Sequence, residues 1–161
     1  MRRQRGFTLI ELLVTVAVVV IVATIAVPNF RTLSARSQLV SDYNQILSGL
    51  YLARSEAIKR REEVVFNMPA QDGSSWGYSV YVDGDSENPL RSGSGRSASV
   101  SVSSDDTTYT FDPLGKLVSS DSDSGCDDTC TITLTHDALG EDDDRTITIT
   151  RAGVVRQKGA S

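Results

Sequence analysis

The sequence predicts an α+β fold, in which one long N-terminal α-helix, with a membrane half and an amphipathic half, packs on a β-rich globular head of antiparallel strands. Three observations lead to this fold class. An apolar run extends from Phe7 to Val27. Apolar residues then recur every three or four positions as far as about residue 62, and β-branched runs bounded by turn residues fill the rest of the chain. The 161 residues suffice for one domain and an anchor.

The apolar run is long enough to cross a bilayer, since a helix of this length measures roughly 31 Å. It is too long for an ordinary secretory signal, and Pro28 follows it where such a signal would end in small residues. Glu11 is the one ionisable residue within it. Two interpretations stay open. Either the run is a plain anchor with Glu11 near its end, or cleavage after Gly6 creates an α-amine on Phe7 that gives the carboxylate a partner.

The charges divide the chain between two environments. Residues 1–62 contain nine Lys and Arg and four Asp and Glu, whereas residues 63–161 contain seven and seventeen. Arg2, Arg3 and Arg5 precede the apolar run, so the positive-inside rule places that end in the cytoplasm. The acidic remainder is therefore expected on the other side of the membrane, outside the cytoplasm.

Residues 29–62 predict an amphipathic helix that continues the apolar run. Its polar positions include Arg36, Asp42 and Lys59. Pro28 lacks an amide hydrogen, so a kink or a locally melted segment is expected at residues 22–28. The helix is expected to end around Arg60 to Glu62. The predicted apolar stripe consists of Leu33, Leu39, Val40, Tyr43, Ile46, Leu47, Leu50, Ala53, Ala57 and Ile58.

Residues 63–161 predict a β-rich head. The runs "EVVFNM", "WGYSVYVDGD", "SASVSVSS", "TYTFDPLGKLV", "CTITLTHD" and "RTITITRAGVVRQ" are β-branched or aromatic and are bounded by Gly, Pro, Asp or Ser. The stretches 91–106 and 119–128 are rich in Ser, Gly or Asp and are expected to be exposed loops or edge segments.

Cys126 and Cys130 are the two cysteines of the chain. An even count in a chain exported to an oxidising compartment favours a disulfide that pins one local turn. The alternative is a metal-binding pair. That alternative is weaker because His136, the single histidine, does not complete a set of four zinc ligands.

The residues "RGFTLIEL" at positions 5–12 resemble the class III leader junction of type IV pilins and type II secretion pseudopilins. This resemblance implies that a prepilin peptidase in the inner membrane removes residues 1–6 by cutting after Gly6 and then N-methylates Phe7. It also implies that Glu11 neutralises the amine of an adjacent subunit during assembly. The implied organisation is a leader at 1–6, a transmembrane and assembly helix at 7–28, an amphipathic helix at 29–62 and a periplasmic head at 63–161.

A second resemblance covers most of the chain. The segments "YLARSEAIKRREEVVF", "WGYSVYVDGD", "FDPLGKL" and "RTITITRAGVVRQ" are similar, in this order, to the GspH/FimT family of minor pilins and pseudopilins, whose heads contain two packed sheets. Arg54, Ser55 and Glu56 are interpreted as an ordinary helix end with a solvated or intramolecular ion pair. Trp76 and Tyr78 are interpreted as core or sheet-face residues.

No enzyme chemistry is predicted, because no nucleophile or carboxylate pair can be tied to His136 by its spacing. The acidic loops at 83–88 and 121–128 superficially resemble calcium loops. Neither continues to the glutamate that completes such a loop, so solvated loops are expected. No cofactor and no metal are predicted.

The resemblances imply a minor pilin that co-assembles with other minor pilins and the major pilin to initiate or cap a type IV pilus. The expected partners also include the prepilin peptidase and the inner-membrane assembly platform. "TIAVPNFR" favours this function, since a proline followed by an aromatic residue is usual in pilus subunits. The alternative is a pseudopilin at the tip of a type II secretion machine.

A second alternative is a minor pilin that binds DNA during natural transformation. The C-terminal segment "TRAGVVRQKG" offers Arg151, Arg156 and Lys158 as nucleic-acid contacts. It departs from the doubled glycine-arginine pattern of such relatives. The head is also net negative, which opposes phosphate binding.

Overall fold

The computed structural model describes residues 7–69, 71, 75–118, 126 and 128–158. It divides the chain into two compact units, Met1–Ser34 and Ala35–Ser161. Helix α1, Leu9–Arg60, is 52 residues long and contributes to both units. Nine strands follow it, so the predicted α+β class with a long N-terminal helix and an antiparallel head is confirmed for the described part of the chain.

The first unit contains the apolar half of α1. Its large apolar side chains from Leu9 to Val27 are exposed, as they would be in a helix that meets lipid. Pro28 lies inside the helix, which continues on both sides of it. The chain by itself is therefore not melted at 22–28, and the alternative of a kink at Pro28 stays a prediction. Proline removes one amide donor, so the helix loses one hydrogen bond while the flanking turns keep theirs.

In the second unit, α1 buries one face against the head. Val40 and Ile58 were predicted in this face but are exposed, and so is Leu33, which belongs to the first unit. Val40 and Ile58 each follow a buried residue by one position, which is about 100° around the helix, so the buried face is narrower than predicted. The buried positions are Ala35, Leu39, Asp42, Tyr43, Ile46, Leu47, Gly49, Leu50, Ala53 and Ala57.

Helix α1 ends where the sequence predicted. Arg61 has φ of 59°, the left-handed conformation that commonly terminates a helix, and its amide donates to the carbonyl of Ala57 at 2.9 Å. Glu56 pairs with Lys59 at 3.0 Å and with Arg60 at 2.7 Å. Hydrogen bonds from Arg60 and Lys59 lower the pKa of the Glu56 carboxyl. Of the two predicted forms, the intramolecular ion pair is therefore present, and the partners of Glu56 are Lys59 and Arg60.

Two antiparallel sheets form the head. The first sheet has the strand order β3-β2-β1-β5-β6, and the second has the order β4-β7-β8-β9. The strands are β1 Val64–Asn67, β2 Gly77–Val82, β3 Arg91–Ser94, β4 Val100–Ser104, β5 Thr108–Phe111, β6 Leu117–Val118, β7 Thr129–His136, β8 Arg145–Thr150 and β9 Val155–Lys158. A short 3-10 helix, Glu141–Asp143, precedes β8.

The strands come from the runs that the sequence singled out, with one addition. Strand β3 lies in the stretch 91–106, which was predicted as loops or edge segments, and it is indeed an edge strand. On β7 the residues Cys130, Ile132, Leu134 and His136 are buried and alternate with less buried threonines. This alternation is that of a strand with one face on a core and one face in water.

Aromatic side chains fill the core between α1 and the first sheet. Phe66 stacks on Tyr78 with ring centroids 4.9 Å apart, and Trp76 lies 6.3 Å from Tyr78. Gly49 of α1 faces these rings, and a methyl group there would come within 2.7 Å of Tyr78. Trp76 and Tyr78 are buried, which confirms them as core residues.

Turns and one side chain connect the two sheets. The amide of Leu117 on β6 donates to the carbonyl of Arg151 in the β8–β9 turn at 3.0 Å. The side-chain amide of Gln71 donates to the carbonyl of Val100 at 3.3 Å and accepts from the amide of Val102 at 3.0 Å. Gln71 therefore bonds to the edge of β4 much as a neighbouring strand would, which covers part of that edge.

Candidate assembly site

The start of α1 gives Glu11 a local role. Thr8 precedes the helix, and its Oγ1 accepts a hydrogen bond from the amide of Glu11 at 3.3 Å. A threonine followed by a glutamate three residues later is the pattern of a capping box. A carboxylate in the first turn also interacts favourably with the positive end of the helix dipole. Glu11 thus stabilises the start of α1 within its own chain, without a neighbouring subunit.

The predicted processing residues lie at the same end of the chain. Phe7 is exposed immediately before the capped turn. Gly6 lies outside the described residues. Pro28 lies far along the helix from this end, so the structure groups Phe7 and Glu11 but not Pro28. From Leu9 onward, α1 is long and apolar enough to cross a membrane.

Cys126 and Cys130 are joined by a disulfide, with their Cα atoms 4.9 Å apart. The predicted disulfide is confirmed over its metal-binding alternative. Both cysteines line a small cavity together with Tyr109 and Arg151. The amide of Arg151 donates to the carbonyl of Asp128 at 3.1 Å, so the cross-linked turn is also held to the β8–β9 turn.

The three residues considered for nucleic acid occupy the end of the second sheet. Arg151 lies in the β8–β9 turn, whereas Arg156 and Lys158 lie on the edge strand β9. The side chains of Arg151 and Arg156 are exposed. Arg151 shares its cavity with the acidic Asp106. Because a nearby carboxylate weakens attraction for phosphate, this geometry does not strengthen the DNA hypothesis.

A buried carboxylate on α1 was missed in the sequence. Asp42 is only 3% exposed, and its Oδ2 accepts a hydrogen bond from the indole Nε1 of Trp76 at 3.0 Å. A buried polar group is costly unless it is hydrogen-bonded, so this contact fixes Trp76 against the helix. The sequence signal was the position of Asp42, three residues after Leu39 and four before Ile46, on the apolar face.

The remaining polar residues do not form a catalytic or metal centre among the residues described. No group of three His, Cys, Asp or Glu is placed to hold a metal ion there. His136 ends β7, and its Nδ1 accepts a hydrogen bond from the amide of Ala138 at 3.1 Å. In the 83–88 loop, the side chain of Asn88 donates to Asp85 at 2.8 Å. Most of the 121–128 loop lies outside the described residues.

Tyr109 supplies a pH-dependent test of the core near the disulfide. Burial raises the pKa of Tyr109 to about 12. Because the folded value exceeds the unfolded value of about 10, its contribution to stability is present below pH ~10 and is lost as the pH rises toward ~12. We expect the free energy of unfolding to fall by up to roughly 2 kcal/mol more in the wild type than in Tyr109→Phe over this window. Urea unfolding of both proteins measures this, and equal pH dependence would refute it.

Comparisons with known proteins agree with this geometry. The family described as "Type II transport protein GspH" matches residues 42–153, and the "Prokaryotic N-terminal methylation motif" matches residues 1–27. A "Fimbrial protein" of Pseudomonas aeruginosa is 35% identical over 117 residues, which cover 72% of this chain and 71% of that protein. The "Type IV major pilin protein PilA" of Myxococcus xanthus is 36% identical over 83 residues, 48% of this chain and 37% of that protein.

The fold has a counterpart among solved structures. The crystal structure of the type IV minor pilin FimU of Pseudomonas aeruginosa superposes with a TM-score of 0.64 at 22% identity, covering 80% of this chain and 93% of that chain. A capped apolar helix that continues into a head of two antiparallel sheets is the architecture of a type IV pilin-like protein. The chain belongs to the GspH family of such proteins, because that family matches more than half of its length.

Proposed function

We propose that this chain is a minor pilin that co-assembles with other minor pilins and the major pilin to initiate or cap a type IV pilus. The observation that carries the proposal is the combination of a methylation motif on an apolar helix with a GspH-type head whose fold matches that of the minor pilin FimU. The relatives named as fimbrial proteins support a pilus more than a secretion machine.

The proposal includes a sequence of steps. The chain inserts with Arg2, Arg3 and Arg5 in the cytoplasm and its head in the periplasm. A prepilin peptidase removes residues 1–6 and methylates Phe7, and the assembly platform transfers the subunit into the pilus. In this scheme Glu11 meets the methylated amine of an adjacent subunit. A capped first turn supports this role, because it fixes the helix start that carries both charges.

A second candidate function is a pseudopilin of a type II secretion machine, which the description of the matching family favours. Deletion of the coding sequence separates the two functions. Loss of surface pili and twitching, with normal release of exoproteins, supports the pilus. Loss of exoprotein release with intact pili would replace our proposal with the secretion function.

Glu11→Ala tests the assembly step. The uncharged helix inserts at least as readily, so we expect normal abundance in the membrane fraction. Recovery with sheared pili should fall several-fold, because the Phe7 amine loses its counter-charge between packed helices. Where such a pair is truly buried, removing one partner costs about 3–5 kcal/mol.

Thr8→Ala is a matched control for this experiment. It removes the capping hydroxyl but keeps the carboxylate, and the loss of a cap costs typically about 1 kcal/mol. We expect Thr8→Ala to assemble better than Glu11→Ala. Equal recovery of Glu11→Ala and the wild type would mean that Glu11 serves only the helix start.

A further inference from the structure

An open groove follows the outward face of α1 in the second unit. It has a volume of about 500 Å³, within the range that accommodates a small ligand or a short stretch of peptide. Helix α1 and the edge strand β3 both line the groove. The lining residues are Ser48, Tyr51, Leu52, Arg54, Ser55 and Ile58 of α1 and Arg91 of β3.

The groove has an apolar part. Tyr51 is 43% exposed and Ile58 is 48% exposed, although both lie on the part of α1 whose other face is buried against the head. The neighbouring serines are small and leave the tyrosine ring accessible. Their hydroxyls donate back to helix carbonyls, Ser48 to Gln45 and Ser55 to Leu52, each at 2.9 Å. The groove therefore offers a phenol ring and an aliphatic side chain to a partner.

Its charged part consists of two arginines. Within the described residues, neither Arg54 nor Arg91 has an acidic partner, although the chain has a net charge of −5. The Nε of Arg54 donates to the carbonyl of Gly115 at 3.0 Å, which holds the guanidinium in place. Its terminal amino groups make no hydrogen bond to the described chain. A guanidinium held in this way loses little entropy when it binds a carboxylate bidentately.

We propose that this groove binds an acidic segment of a neighbouring pilin-like subunit. A carboxylate of that segment bonds to Arg54 and Arg91, and an adjacent apolar residue packs on Tyr51 and Ile58. The inference rests on the proposed function, because it needs a neighbouring subunit. Charge complementarity supports this occupant. The head of this chain contains seventeen acidic residues in 63–161, and a neighbouring head of the same kind would present acidic segments to the two arginines.

The same features disfavour a nucleic acid as the occupant. Binding to a phosphate backbone needs many cations along one surface, whereas this groove has two arginines beside an apolar centre. Its limited size predicts a weak contact on its own. Subunits that share a membrane meet at a high effective concentration, so a weak contact suffices to select a neighbour there.

Photo-crosslinking in the living host tests the proposal with the full chain. Tyr51 is replaced by p-benzoylphenylalanine, which keeps an aromatic ring in the groove, and the crosslinked peptide of the partner is mapped by mass spectrometry. We expect a crosslink to an acidic segment of a pilin-like protein. Arg91→Glu should reduce its yield about tenfold at equal abundance, which is the effect of losing one charge-assisted hydrogen bond.

Arg96→Glu is the matched control, because Arg96 is an exposed arginine just beyond β3 that does not line the groove. It should leave the crosslink unchanged. Reversing the mapped acidic residue of the partner to arginine should restore the yield in Arg91→Glu. This rescue would exclude a loss caused by misfolding.

Three outcomes would overturn the proposal: equal yields in Arg91→Glu and Arg96→Glu, a mapped segment without a carboxylate, or a crosslink to nucleic acid alone. Recovery of the wild-type chain with sheared pili is measured in the same cells. Absence of the chain from pili would contradict the proposed function. Its presence with a crosslink insensitive to Arg91 would contradict only the groove.

Discussion

Gly6→Val is expected to leave the full-length precursor in the inner membrane. The resemblance of residues 5–12 to a class III leader junction implies a peptidase that requires a small residue before the cut. A branched side chain at this position obstructs access to the peptide bond between Gly6 and Phe7. Because an unprocessed chain keeps six additional residues at its helix start, it should also be missing from sheared pili. Intact-mass measurement of the membrane fraction gives the ratio of precursor to product.

Gly6→Ala provides the comparison, since it adds only one methyl group. We expect it to be processed at least in part, whereas Gly6→Val is not processed at all. If the wild-type chain still began at Met1 in a host that has the peptidase, the assignment of this junction would be wrong. If Gly6→Val were processed normally, the requirement for a small residue would be wrong.

Gly153→Ala is expected to destabilise the head by roughly 2–4 kcal/mol, because two costs add at one position. Gly153 has φ of 70°, a conformation that residues with a side chain rarely adopt. A methyl group there would also overlap the carbonyl oxygen of Gly115 in the β5–β6 turn. The turns that connect the two sheets would have to separate. Urea unfolding followed by circular dichroism measures the change in the free energy of unfolding.

Gly140→Ala is its natural control. Gly140 has φ of −88°, and a methyl group there would meet nothing within 4 Å. The substitution should change stability by no more than about 0.5 kcal/mol. Similar effects of the two substitutions would show that the contact between the two turns contributes little to the stability of the head.

Much of the fold follows from local pattern. Helix α1 was predicted because apolar residues recur at its period, and β7 was predicted because threonines alternate with Ile132 and Leu134. Helical period alone does not fix the width of a buried face. Val40 and Ile58 were therefore assigned to a face that the head does not reach. Pro28 removes one amide donor, yet the helix continues on both sides of it, so the proline alone does not predict a melted segment.

The features that were missed depend on contacts between distant parts of the chain. Asp42 can be buried because the indole N–H of Trp76, 34 residues later, donates a hydrogen bond to it. No local sequence pattern predicts that hydrogen bond. The same holds for Arg54, which was interpreted as part of an ordinary helix end but donates to Gly115 in a turn 61 residues away. The candidate processing residues were found because a short linear motif specifies them without reference to the fold.

Trp76, which donates a hydrogen bond to Asp42, can report the folding of the head by its fluorescence. Trp76 is the single tryptophan of the sequence and is only 2% exposed, so its fluorescence arises in a dry environment beside one carboxylate. Water reaches the indole as the head opens, and the emission shifts to longer wavelength. The apolar half of α1 contains no tryptophan, and detergent or lipid around that half adds no competing signal. The folding of the head can therefore be followed without a label while the chain remains in a membrane.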